Sequence, residues 1–240
     1  MNTPTMTTST MNTSTMNIPT PKNPLLKVAV VLLLVIGTTF AFTPTSVRAH
    51  AQVVRTTPAN ASTLTAAPPS VSVVFNEPVS TTSTKVQLLS ATGSPVATSF
   101  AVSPDKSTYT LTPRKRLTPG LYVLRFAVTS ADGHPVSGAS SFLVGTRPTG
   151  KPVSVKLTDS TSVQSLTFSN NRSGLVSAAL PATAVGLEFR HKRLGATLQA
   201  TIAGSTATAV LPFTGEWSVT LVLKPSIFTE SRLLGKLTIR

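Results

Sequence analysis

The chain has 240 residues, of which 21 are Lys or Arg and seven are Asp or Glu, so its formal net charge is +14. It contains no cysteine, which excludes disulfides and thiolate metal sites. Any metal must therefore be bound by nitrogen and oxygen ligands. The basic balance favours an anionic envelope surface, whereas the scattered cations and few aromatic residues argue against nucleic acid as a partner.

Residues 1–49 differ in composition from the rest of the chain. They contain all four methionines and no acidic residue, and 1–24 is a repeat of Thr, Ser and Asn punctuated by Met. Such a composition cannot build a packed core and is typical of disorder. It is also compatible with Met16 as the true start. Residues 50–240 keep a charge of +11, from 18 basic and seven acidic residues.

The apolar segment 28–42, "VAVVLLLVIGTTFAF", has the features of a signal peptide. Two lysines precede it, and Val47 and Ala49 stand at the −3 and −1 positions of a cleavage site. It is shorter than the roughly 20 residues of a membrane span. We therefore expect an exported protein cut after Ala49, with His50 as its first residue. An uncleaved leader would instead tether the chain to the membrane.

The first half of the remaining chain shows the alternation of short β-strands. Turn sequences such as "TPANAS", "ATGSP", "LTPG" and "ADGHP" separate them. Short strands at this spacing predict an antiparallel β-sandwich or barrel. The predicted strands are 52–56, 71–75, 85–89, 107–112, 121–129 and 140–144.

A second small β-sandwich is predicted after a Gly- and Pro-rich linker. The expected domains are a leader over 1–49, a β-domain over 50–145, a linker over 146–152 and a second β-domain over 153–240. In the second domain, "FTGEW" predicts a turn followed by a buried Trp217. Its predicted strands are 153–157, 164–168, 174–179, 186–190, 197–202, 207–211, 217–223 and 236–239.

Three of the residues suggest a metal site. Asp132 and His134 stand two apart in "SADGHPVSG", at the bend where a strand is expected to end, so both side chains could reach one ion. A free N-terminal His50 would add its α-amine and its Nδ1. Three nitrogens and one oxygen favour Cu(II) over most divalent ions, although Zn(II) would also accept them.

Each of these residues also has a plainer interpretation. An exposed N-terminal histidine usually has no special role, and a histidine in a "DGHP" turn is more often a surface residue than a ligand. The third histidine, His191, lies in "RHKR", where neighbouring cations oppose metal binding. We interpret that run as a solvated basic face.

Over residues 50–145 the chain resembles the CopC family of periplasmic copper-binding proteins. The likeness rests on an N-terminal His after the leader, a "PAN" turn, "PPSVSVVFNEPV", "LTPGLY" and "SADGHPVSG" before the last strand. The resemblance implies a Greek-key β-sandwich or barrel that binds one Cu(II) ion per chain. The ligands that it implies are the amine and imidazole of His50, with Asp132 and His134.

Some members of this family also bind Cu(I) through methionine. No methionine remains after residue 49, so we expect a Cu(II)-only protein. Glu77 in "FNEPV" matches a family motif, and we assign it a structural or second-shell role. The family likeness also suggests a separately encoded CopD-like membrane partner.

Residues 153–240 resemble the YtkA-like domain through "GEWSVTLVL" alone. The leading hypothesis for the whole chain is an exported copper-homeostasis or copper-resistance protein that is not an enzyme, because no nucleophile–base pair or carboxylate dyad is evident. A two-domain cell-surface structural or adhesion protein is the alternative. A copper monooxygenase is a further one, which the missing aromatic platform for sugar disfavours.

Overall fold

The computed structural model describes residues 51–82, 84–147 and 149–240. The described residues from Ala51 to Arg240 belong to one compact unit. Its regular structure is entirely β, which confirms the predicted all-β class. Within the described part of the chain, no helix of a length and apolarity that could cross a membrane occurs. The expected signal segment and His50 lie outside the described residues.

The first half, residues 51–145, contains eight strands in two layers. One layer has the order β1-β3-β6-β5, and the other contains β4, β7 and β8, with β2 paired to β8. The two strands β7 and β8 form a long antiparallel hairpin whose turn carries the "ADGH" sequence. The strands are β1 (Val53–Thr57), β2 (Thr63–Leu64), β3 (Val71–Phe75), β4 (Lys85–Ser90), β5 (Thr98–Val102), β6 (Thr108–Pro113), β7 (Gly120–Thr129) and β8 (Pro135–Val144).

The two layers enclose one apolar core, as expected for a sandwich. Alternate residues of β3 point inward, and Phe75 contacts the ring of Tyr109 from its own layer and that of Phe126 from the other. In the layer of β7 and β8, Tyr122 stacks on Phe142 with ring centroids 5.6 Å apart.

The second half, residues 153–240, forms one antiparallel ladder of nine strands. The order is β14-β15-β11-β10-β9-β17-β16-β12-β13. Its two ends meet, because β13 and β14 are separated only by Ala200, whose N–H donates to the Leu187 carbonyl. The strands are β9 (Val153–Thr158), β10 (Val163–Phe168), β11 (Gly174–Ala179), β12 (Ala184–Arg190), β13 (Thr197–Gln199), β14 (Thr201–Ala203), β15 (Thr206–Leu211), β16 (Gly215–Ser226) and β17 (Thr229–Ile239).

Trp217 is fully buried in the core of the second half, as predicted, and its Nε1–H donates to the Phe213 carbonyl. The interpretation of His191 as part of a solvated face is wrong. Its ring is buried against Phe213 and Trp217, with centroids 5.3 and 4.9 Å away, and its Nδ1 accepts the Arg193 N–H. Burial, together with the nearby cations, lowers the pKa of His191. The imidazole is therefore a neutral core group.

The two halves are joined by a parallel pairing of β8 with β13, where Ala139 lies opposite Leu198, and by contacts on the outer face of the β7–β8 hairpin. Leu121 and Leu143 pack with Val210 of β15 in a small buried cluster. The hydroxyl of Ser141, itself fully buried, donates to the Val210 carbonyl at 2.6 Å. A guanidinium N–H of Arg125 donates to the Leu194 carbonyl at 3.1 Å. The boundary predicted at 146–152 stays a prediction, but the chain on either side of it shares these contacts.

Candidate metal centre

Asp132 and His134 lie in the turn between β7 and β8, as their sequence context predicts. Gly133 between them has φ of +87°, a left-handed conformation that glycine adopts without strain. The Ser130 N–H donates to the His134 carbonyl at 2.9 Å and the Gly133 N–H to the Ser130 carbonyl at 3.0 Å, which closes the turn. The bend therefore holds the two candidate ligands on one side of a fixed loop.

The two side chains touch. Nδ1 of His134 lies 3.1 Å from Oδ2 of Asp132, and the side chains are 59% and 26% exposed, respectively. The His134 N–H also donates to Oδ1 of Asp132 at 3.3 Å. A carboxylate and an imidazole at this separation can bind the same ion.

Ser130 is a residue of the site that sequence reasoning missed. It is only 3% exposed, and its hydroxyl hydrogen-bonds Oδ1 of Asp132. This bond is the main cause that lowers the pKa of Asp132 to about 2, and the contacts with His134 contribute less. Part of the signal was available in the sequence, because serine side chains in turns commonly form local hydrogen bonds, as Ser130 does to the His134 carbonyl.

The first described residues of the chain lie against the same region. Gln52 and Asn76 exchange two hydrogen bonds: the Gln52 N–H donates to the Asn76 side-chain oxygen at 2.7 Å, and the Asn76 N–H donates to the Gln52 carbonyl at 3.0 Å. The next residue, Glu77, accepts the Ala131 N–H through Oε1 at 3.4 Å. These bonds connect the start of β1 to the residue before Asp132.

The start of the described chain and the strand after His134 also line one groove of about 630 Å³. Ala51 and the first residues of β1 line one side of it, and Val136, two residues after His134, lines the other. Ala51 is buried in the same core cluster against which Val136 packs. The chain thus enters the fold beside the strand that follows the candidate ligands.

Among the described residues, no group of three or more His, Cys, Asp or Glu side chains is arranged to hold a metal ion. Asp132 and His134 form a pair, and the third predicted ligand, His50, immediately precedes the described chain. The remaining histidine, His191, is a core residue of the second half. The three-residue ligand set accordingly stays a prediction.

Comparisons with known proteins agree with the resemblance seen in the sequence. The copper transport protein CutJ of Bacillus subtilis (strain 168) is 32% identical over 118 residues, which are 48% of this chain and 21% of that protein. The match therefore spans about a fifth of the length of that curated relative.

Two solved structures are also similar. CopC from Methylosinus trichosporium OB3b has 31% sequence identity and a TM-score of 0.37, with 40% of this chain and 93% of that chain covered. PcoC, a methionine-rich copper resistance protein from Escherichia coli, has 28% identity and a TM-score of 0.37, with 40% and 99% covered. The family model of the CopC domain matches residues 53–145, so this chain contains a CopC domain over those residues.

Proposed function

We propose that this protein is an exported copper-homeostasis protein that binds one Cu(II) ion per chain. The ion is held by the α-amine and imidazole of His50, the carboxylate of Asp132 and the imidazole of His134. The protein acts as a carrier or sequestering protein rather than as an enzyme. The observation that carries the proposal is the contact between Asp132 and His134 within a CopC domain.

The position of Gln52 supports the participation of His50. Gln52 is bonded to Asn76, and the neighbouring Glu77 is bonded to Ala131, one residue before Asp132. His50 precedes Gln52 by two residues, a length of extended chain of about 7 Å. Glu77 fits the structural role predicted for it, since its contact links the two segments that supply the ligands.

The chemistry of the donors also supports Cu(II). The low pKa of Asp132 keeps its carboxylate ionised across the range in which imidazole binds metals. Nitrogen with carboxylate oxygen suits Cu(II), whereas Cu(I) selects thioether or thiolate ligands that residues 50–240 lack. Copper here is cargo. A CopD-like membrane protein is the partner to which such cargo would pass.

A copper titration tests the proposal. The exported protein, with its N-terminus sequenced, should bind one equivalent of Cu(II) at neutral pH. The variants His50→Ala, Asp132→Asn and His134→Ala should each weaken the affinity by more than about 100-fold, because even indirect supports of a metal site contribute 10–100-fold.

Two matched variants serve as controls. Asp105 lies in a similar serine-flanked turn and its pKa is also lowered, mainly by the Ser103 hydroxyl, so Asp105→Asn should leave copper affinity unchanged. His191→Gln should do the same, since this histidine is a core residue. Equal binding by wild type and His50→Ala, or a mature chain that starts elsewhere, would contradict the proposed ligand set.

A further inference from the structure

The β16–β17 hairpin projects beyond the strands that flank it. Its two strands pair from Gly215 and Ile239 to Ser226 and Thr229 at the tip. Pairing of β12 with β16 ends at Leu223, and the last backbone bond on that side runs from the Lys224 N–H to the Thr183 carbonyl. Along β17, the described partner in β9 is opposite Leu234. The residues between Lys224 and Leu234 therefore extend as a two-stranded tip.

Two large apolar side chains occupy the turn at the end of this hairpin. Ile227 is 82% exposed and Phe228 is 90% exposed, the highest values among the exposed large hydrophobic residues of the described chain. Hairpin turns normally use Gly, Asn, Asp or Ser, because these residues suit the backbone and the solvent. Ile227 and Phe228 depart from this preference although they are not buried in the core, and such a departure suggests a functional reason.

Three polar groups of the turn are hydrogen-bonded within the turn itself. The hydroxyls of Ser226 and Thr229 lie 2.8 Å apart, and the Phe228 N–H donates to the Ser226 hydroxyl. Polar groups that are hydrogen-bonded to each other cost less free energy to remove from water than polar groups that are bonded to water. The arrangement suits entry into a medium that offers few hydrogen bonds.

The charge of the protein is complementary to an anionic lipid surface. Lys224 is exposed three residues before Ile227, whereas on the other strand Arg232 forms ion pairs with Glu230 and Glu188. Residues 50–240 together carry a formal charge of +11. Anionic headgroups attract such a surface, and aromatic and aliphatic side chains then enter the boundary between headgroups and acyl chains.

We propose that the tip of the β16–β17 hairpin inserts Ile227 and Phe228 into the interfacial layer of an anionic lipid bilayer. Lys224 lies at the level of the headgroups. The proposal concerns the second half of the chain and does not depend on copper binding. It gives that half a function as a membrane-docking module for the copper-binding half.

A reporter placed at the tip tests the proposal in the full chain. The apolar segment 28–42 would bind vesicles in its own right, so the readout must be local. In Phe228→Trp, emission should shift to shorter wavelength and be quenched by brominated acyl chains in vesicles of phosphatidylcholine and phosphatidylglycerol. Trp217, the only natural tryptophan, is fully buried and supplies a constant background that also reports folding.

Two further substitutions, each combined with Phe228→Trp, separate insertion from general adsorption. Ile227→Asp should weaken the insertion equilibrium by at least about tenfold. Leu234→Asp is the matched control, because Leu234 is 60% exposed but lies where β17 pairs with β9, and it should leave quenching unchanged. A third substitution, Lys224→Glu, should reduce insertion at low salt and have less effect at high salt.

Three results would overturn the proposal. The first is an emission from the Phe228→Trp variant that is neither shifted nor quenched in the presence of anionic vesicles. The second is equal loss of quenching in Leu234→Asp and Ile227→Asp. The third is crosslinking of the tip to an envelope protein while bare vesicles leave the emission unchanged, which would assign the tip to a protein partner.

Discussion

Asp132 is held by its neighbours before any metal arrives. The hydroxyl of the buried Ser130 and the groups of His134 surround its carboxylate and lower its pKa to about 2. Below about pH 2 the Asp132 carboxyl would be protonated, whereas above that pH it is ionised and able to bind a metal ion. Copper loss on acidification that begins well above pH 2 would therefore not report protonation of Asp132.

The same lowered pKa makes a prediction about folding stability. A carboxylate with a folded-state pKa below its unfolded value of 3.8 stabilises the fold above about pH 4, and the effect is lost as the pH falls toward 2. Metal-free Asp132→Asn should consequently melt at a lower temperature than wild type at pH 6, and the two should converge near pH 2. Calorimetry over this range checks the prediction. A gap in Tm that stays constant from pH 6 to pH 2 would contradict it.

The sequence predicted the two candidate ligands and their bend, but not the support beneath them. The "ADGH" motif indicates a turn by composition alone. The contact of Glu77 with Ala131 depends on how the chain folds back, because it spans 54 residues. No local pattern encodes a bond of that kind.

At the level of the strands, most central segments were predicted, whereas β2 and β5 were missed and several strand ends lie elsewhere. For β8, residues 140–144 were expected, whereas the strand begins at Pro135. The Pro and Gly of "PVSGA" weigh against a strand locally. The ladder with β7, which runs from Thr129 opposite Pro135, overrides that preference. The expected strand 197–202 is divided at Ala200, where the chain changes partners.

Gly138 in β8 leaves room for the ring of Phe126. A Cβ at this position would lie 2.5 Å from Cζ and 2.9 Å from Cε2 of that ring, which packs edge-on against Phe75. Gly138→Ala should therefore destabilise the protein by about 1–3 kcal/mol through overpacking. Urea denaturation measures the change.

The control for this substitution is Gly120→Ala in the adjacent strand. A Cβ there would meet its nearest atoms at 3.9 Å, so the substitution should alter stability by no more than about 0.5 kcal/mol. A loss in Gly120→Ala as large as that in Gly138→Ala would rule out the steric explanation.

On the scale of the whole molecule, the sequence predicted two β-domains but not the buried contacts between them. The alternation of buried residues predicts an apolar core in each half, but the core cluster of the second half also includes Leu89 and Val123 of the first half. The contact of Leu121 and Leu143 with Val210 lies on the outer face of the β7–β8 hairpin. Apolar residues on both faces of a strand indicate burial on both sides, but they do not identify the partner.

The Ser141 hydroxyl forms a buried hydrogen bond across this contact, and removal of the hydroxyl should weaken the contact. Ser141→Ala deletes a buried hydrogen bond to the Val210 carbonyl and should destabilise the protein by about 1–3 kcal/mol. Hydrogen exchange of the β15 amides should rise as well. Ser140→Ala is the matched control, since that hydroxyl bonds Thr56 within the first half and its loss should leave β15 protected. Equal exchange of β15 in both variants would contradict this assignment.

The contact between the halves also bears on how the chain folds as it is made. The polypeptide emerges N-terminus first, so β7 and β8 can pair before β15 exists. Until β15 follows, Leu121 and Leu143 present an apolar surface and Ser141 lacks its acceptor. We therefore expect the nascent first half to need protection from aggregation until Val210 covers that surface.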